Sequence, residues 1–145
     1  MTLLEESPRP DLESLISVDP RIRFAVLVDP KGNPKEYASR LGCESLEPER
    51  ESRLYFEQAV IGTDMASVAN RFHGALRMVV VQREKVMIMV FAIYDGLVIV
   101  SAEPDLPLEE AAEVGRRLDM PGMRPRDPDA PQTRATGPRQ SGDLR

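Results

Sequence analysis

Residues Ala75–Ala102 read ALRMVVVQREKVMIMVFAIYDGLVIVSA, and this stretch decides the fold. Two apolar runs, Ala75–Arg83 and Val86–Tyr94, are joined around Glu84-Lys85. The dipeptide Asp95-Gly96, a hairpin signal, leads into a third run at Leu97–Ala102. Three such runs in succession predict an antiparallel meander. Strand side chains alternate between faces, so Leu76, Met78 and Val80 share one face while Ala75, Val79 and Val81 share the other. The next strand sets Val86, Ile88, Val90 and Ala92 against Met87, Met89, Phe91 and Ile93. Neither face can be left in water, so the sheet needs a layer on each side.

The segments around this stretch supply the layers and two more strands. Upstream, Asp11 can cap a short helix carrying Leu12, Leu15 and Ile16, which Asp19-Pro20 stops. Ile22, Phe24, Val26 and Val28 then alternate with Arg23, Ala25, Leu27 and Asp29, the period of a strand. The turn Pro30-Lys31-Gly32-Asn33 returns the chain into a strand at Lys35–Arg40. After Glu47-Pro48 the period changes: Leu54, Ile61, Met65, Val68 and Phe72 mark one stripe of a helix of about six turns. Tyr55, Ala59, Ala66 and Ala69 form a second stripe beside it, and Gly74 is placed to end the helix in the left-handed conformation. Downstream, Leu108–Leu118 predicts a helix with Glu109 and Glu110 near its start and Arg116 and Arg117 near its end, each complementing the helix dipole. Met120-Pro121-Gly122 terminates it.

The fold class that follows is α+β, with mixed α/β layers: a five-stranded antiparallel sheet in the order helix-β-β-helix-β-β-β-helix, with helices on both faces. The two short terminal helices are expected on one face and the long middle helix on the other. One helix about 10 Å across spans two or three strands at about 4.8 Å spacing, so five strands outsize it. A second copy of the chain would cover the remainder. The wide apolar surface of the middle helix and the methionines at 65, 78, 87 and 89 suit such a surface, because methionine adapts to irregular contacts.

Composition limits the function. The chain has 145 residues, 41% hydrophobic and 30% charged, the profile of one ordinary globular domain. Its longest apolar run, Val86–Tyr94, falls far short of the roughly 20 residues of a membrane span. The start, MTLLEESPRPDLES, carries acids where an export signal carries Lys or Arg, so a cytoplasmic setting is expected. Residues 1–120 hold 14 Lys/Arg against 21 Asp/Glu and read as the domain, an acidic body that repels phosphate backbones and argues against a nucleic-acid partner. Residues 121–145 hold five Arg, three Asp, five Pro and three Gly, with only Met123, Ala130, Ala135 and Leu144 from the apolar set, and read as a disordered Pro/Arg-rich tail.

No reaction emerges from the candidate chemical groups. Cys43 and His73 are the sole cysteine and histidine, too few for a zinc site of these ligand types or for thiolate activation. His73, beside Gly74, reads as a helix-end residue. Gly32 and Gly42 are isolated and form no phosphate loop, and no pair of acids falls at a catalytic spacing. The expectation is a non-enzyme that uses no cofactor and no metal.

The element order resembles the roadblock (dynein light chain) fold over about residues 9–120. The resemblance rests on Ile22-Arg23-Phe24-Ala25-Val26-Leu27-Val28-Asp29-Pro30-Lys31-Gly32 and on Met78–Ala102 as two long strands and a short one. It implies a non-catalytic homodimer that scaffolds or regulates a small Ras-like GTPase, pairing through the middle helix and the following strand. The interface residues it implies are Leu54, Ile61, Met65, Val68, Phe72, Leu76, Met78 and Val80. Two features depart from the family pattern: Glu36-Tyr37-Ala38-Ser39-Arg40 at the second strand, and the Pro/Arg tail. Profilin-like and sensor domains use related layouts, so the alternative is a ligand-sensing domain whose surplus apolar surface lines an internal pocket.

Overall fold

Asp11 opens the fold as expected. In the computed structural model, which describes residues 9–40, 49–94 and 96–119, its carboxylate accepts from the Ser14 amide at the start of α1 (Leu12–Ile16). The strands are β1 (Ile22–Val28), β2 (Pro34–Ser39), β3 (Met78–Gln82), β4 (Met87–Ile93) and β5 (Gly96–Ala102). All neighbours pair antiparallel in one five-stranded sheet ordered β2-β1-β5-β4-β3. The meander β3-β4-β5 is local, whereas the β1–β5 seam joins the two ends of the chain. β3 is shorter than its expected span because its apolar run begins outside the ladder, with Ala75 and Leu76 preceding the first paired residue.

The middle helix is not continuous. α2 (Glu49–Ala66) passes into a 3-10 turn, Ser67–Ala69, and then a short α3 (Asn70–His73). The Ser67 hydroxyl donates to the Thr63 carbonyl 2.9 Å away, a back-bond that competes with the helical ladder at the break. Gly74 takes a positive φ of 89°, but with ψ at 169° it is extended rather than left-handed helical, turning the chain toward β3.

Each face of the sheet has its own core. On one face, α1 and α4 (Leu108–Arg117) bury Leu15, Ile16, Ala111 and Val114 against Met87, Met89, Phe91, Val98 and Val100. Arg117 Nη1 donates to the Ser14 carbonyl at 3.0 Å and ties the two helices. Met87 and Met89 are fully buried here, which corrects their assignment to an adaptable surface: their strand turns them under α4. On the other face, Phe56 of α2 packs with Val26, Val28, Val90, Leu97 and Ile99, and Ala59 and Val60 pack against that cluster. The helix thus lies over β1, β5 and β4, while Tyr37 of β2 remains 60% exposed.

Candidate association surface

An ideal helix turns about 100° per residue, which places Leu54, Ile61 and Met65 within a narrow arc of α2 and Phe56, Val60 and Thr63 on the opposite side. The packing follows this division. Phe56 is 4% exposed against the sheet, whereas Leu54 and Ile61 are each more than half exposed. Exposure rises to 70% at Met65, 73% at Val68 and 77% at Phe72, so the outward stripe continues through the 3-10 turn into α3. The Arg71 guanidinium lies 5.5 Å from the centroid of the Phe72 ring. The helix is thus apolar on two opposite sides, one packed on the sheet and one exposed.

The expected interface residues on the following strand are divided between faces. Leu76 is half-buried beside Asn70, whose Oδ1 accepts from the Leu76 amide at 3.1 Å. Met78 and Val80 pair with Phe91 and Met89, so their side chains share the α1/α4 face, where Val80 packs against the core and Met78 is 36% exposed. They do not extend the outward stripe of α2. The Arg83 amide donates to the Val86 carbonyl at 2.9 Å, and alternation along an antiparallel ladder turns the amides of Val81 and Val79 toward β4 as well. Met78, Val80 and Gln82 therefore direct their amides and carbonyls off the open edge of the sheet. The side chains of Met78 and Val80 thus belong to the α1/α4 face, and only their backbone groups are directed off the strand's outer edge.

The best-anchored charges lie away from this surface and serve the scaffold. The Asp19 carboxylate is held below the ordinary carboxylate range by the Arg21 side chain, whose Nε lies 3.0 Å from Oδ1, and by the Arg21 amide. Arg40 donates from Nη2 to the Ile16 and Asp19 carbonyls and from Nε to the Ile22 carbonyl, locking the end of α1 to β1. Asp29 closes the β1–β2 turn by accepting from the Asn33 and Lys31 amides, which lowers its pKa. Arg53 of α2 reaches that turn, donating to Asn33 Oδ1 at 2.8 Å. The anchoring role of Arg40 was not legible in the sequence, because a side chain bonding to carbonyls has no periodic signature.

His73 lies exposed at the end of α3, and Cys43 falls outside the described residues. Among the described residues, no three His, Cys, Asp or Glu side chains gather as metal ligands, and no helix is long and apolar enough to cross a membrane.

No family model matches the sequence, and no curated protein does. Solved structures do. The roadblock/LC7 domain from Streptomyces avermitilis superposes with a TM-score of 0.55 at 18% identity, covering 73% of this chain and 83% of that one. The gliding protein MglB from Thermus thermophilus gives 0.55 at 17% identity, covering 76% and 91%. A structure of MglB with a tetrameric arrangement gives 0.56 at 17%, covering 76% and 90%. At these identities the likeness is one of fold.

Proposed function

From the roadblock-like fold as premise, we propose that this chain is a non-catalytic, homodimeric protein–protein interaction module that scaffolds or regulates a small Ras-like GTPase in the cytoplasm. The observation that carries the reading is the outward stripe Leu54, Ile61, Met65, Val68 and Phe72, which stands in water in the single chain. Singly exposed apolar residues are ordinary, but a contiguous row marks an interaction surface. A twofold axis beside this stripe would set α2 against its copy and bring the two β3 edges together, with Met78 and Val80 contributing backbone hydrogen bonds and Leu76 lying between. Self-pairing is the commonest use of such a patch. Residues 1–120 would form the domain, and 121–145 a Pro/Arg-rich tail.

The resemblance to roadblock domains supports the GTPase as partner. Light scattering coupled to size exclusion tests the dimer, and a stable monomer at micromolar concentration would sink it. Capture from native lysate with residues 121–145 present and absent tests the partner: recovery of a Ras-like GTPase is expected, and its absence from both captures would count against that half of the reading.

A second reading, small-ligand sensing, has one observation behind it. A cleft of about 290 Å3 between α2 and the β4–β5 hairpin combines Val60, Leu76 and Leu97 with polar Thr63, Ser67 and Asn70. Thermal-shift screening with small amphipathic compounds would separate the readings, since the interaction module predicts no hit.

A further inference from the structure

Resting on the dimer reading above, we propose that two copies join with their twofold axis through Val80, and that Glu84 of each copy pairs with Arg77 of the other at a groove between α4 and β3. Met78, Val80 and Gln82 are the residues whose amides and carbonyls leave the sheet edge, because the Arg83 amide turns inward to the Val86 carbonyl. When two such edges pair antiparallel, these residues face only one another. An axis through Val80 matches the whole strand: Met78 stands opposite Gln82 of the second copy, and Val79 opposite its Val81. An axis through Val79 would set Val81 against the charged Arg77, and one through Val81 would set Met78 against Glu84 and Val79 against Arg83. Only the axis through Val80 matches the three valines among themselves.

This register decides what the second copy brings to the groove. The groove holds about 260 Å3, with Phe91 and Leu118 in its floor, Gly115 on the α4 wall, and Met78 and Arg77 toward the sheet edge. Arg77 Nη2 donates to Asp119 Oδ2 at 3.2 Å, so a cation and an anion stand together on the rim. Strand side chains alternate between faces, so Gln82 shares the α1/α4 face with Met78 and Val80; by the same alternation Glu84 falls on that side and Arg83 on the α2 side. The second copy's chain, running past Met78, sets its Glu84 one residue beyond the position opposite Arg77. One strand across and one residue along is about 6 Å between Cα atoms, well within reach of these two long side chains. Glu84 and Lys85 are exposed and have no ion-pair partner among the described residues. As an anion and a cation side by side, they complement Arg77 and Asp119. Twofold symmetry makes the contact twice.

Complementation between two chains tests the contact. Arg77→Glu and Glu84→Arg each set like charges together at both contacts of their own homodimer, and each should weaken dimerisation about tenfold in light scattering. Mixed, the two chains form a heterodimer in which both contacts again join opposite charges. Native mass spectrometry of the mixture should therefore show heterodimer well above the half that random exchange gives. A contact within one chain cannot produce that excess, and a random distribution would overturn the pairing. The register is tested by single cysteines under mild oxidation in a Cys43→Ser chain. Val80→Cys lies about 5.5 Å from its own copy between Cα atoms, within disulfide range, and should cross-link at least about tenfold faster than Val79→Cys or Val81→Cys alone. Those two lie about 8 Å from their own copies, so they should cross-link when mixed with each other. Self-cross-linking led by Val79→Cys or Val81→Cys would overturn the register. A parent chain that is monomeric at micromolar concentration would end the dimer reading and this inference with it. A stable dimer that exchanges at random or cross-links elsewhere would overturn this inference alone.

Discussion

Phe56 of α2 and Phe72 of α3 face opposite ways, Phe56 sealed against the sheet at 4% exposure and Phe72 standing in solvent at 77%. The same side-chain type therefore has two roles, and substitution should separate them. Phe56→Ala should lower unfolding stability by about 3–5 kcal/mol, the usual cost of removing a core phenylalanine. Phe72→Asp should leave urea stability of the single chain nearly unchanged and convert the proposed dimer to a monomer in light scattering. A dimer that persists in Phe72→Asp would move the interface off this stripe.

Val80 gives a backbone test of the same surface. Its amide points off the sheet edge, so Val80→Pro removes no β3–β4 hydrogen bond and adds a residue that edges tolerate. The variant should fold, with circular dichroism like that of the parent, and associate at least about tenfold more weakly, since one lost interfacial pairing of about 1.4 kcal/mol corresponds to that factor. Unchanged association would mean that the strands do not pair edge to edge.

Gly96 opens β5 with φ at 141°, and a Cβ there would fall 2.0 Å from the Val28 carbonyl oxygen. That contact crosses the β1–β5 seam, where Val28 pairs with Leu97. Gly96→Ala must therefore strain the backbone and push the seam apart. A loss above about 4 kcal/mol, or failure to accumulate as folded protein, is the expected result in denaturant titration. By contrast, Gly62→Ala meets nothing within 4 Å and sits in α2, so it should stabilise by about 0.5–1 kcal/mol.

Acid should weaken the fold through Asp19. Its folded pKa lies below the unfolded value of about 3.9, chiefly because of the Arg21 hydrogen bonds. Between those two values the unfolded chain binds more protons, so stability rises with pH there. The contribution is fully present above the unfolded pKa and is lost as pH falls through the folded one. Asp29 and Glu113, also lowered, act in the same direction. Asp19→Asn should be less stable near neutral pH and lose less on acidification below about pH 4, measured as urea midpoints across pH. Parallel curves for the two proteins would show that Asp19 is not a source of the acid sensitivity.

Local readings fared well where one short segment carries its own signal. The α1 cap at Asp11, the tight β3–β4 connection around Glu84-Lys85, the alternation of β1 and the helix 108–118 all depend on neighbours within a few residues. The strand at 34–39 forms despite its charges because only Ala38 is buried there; an edge strand needs one inward anchor, and Glu36, Tyr37 and Ser39 lie outside the core. The break at Ser67 was not legible, since a serine in a helical pattern reads the same whether or not its hydroxyl takes a carbonyl from the ladder.

By itself the sequence determined that this protein has a sheet apolar on both faces, a middle helix with a wide apolar surface, and the order in which the elements come. These are consequences of periodicity, which each segment carries alone. Only the tertiary structure decided that β5 inserts between β1 and β4, that Met87 and Met89 are core, and that Phe56, Val60 and Thr63 rather than Leu54, Ile61 and Met65 face the sheet. Both sides of α2 are hydrophobic enough to be buried. Which one fits is settled by shape across the β1–β5–β4 surface, where the Phe56 ring fills the space between Val26, Val90 and Ile99, and shape between distant segments leaves no mark on local periodicity.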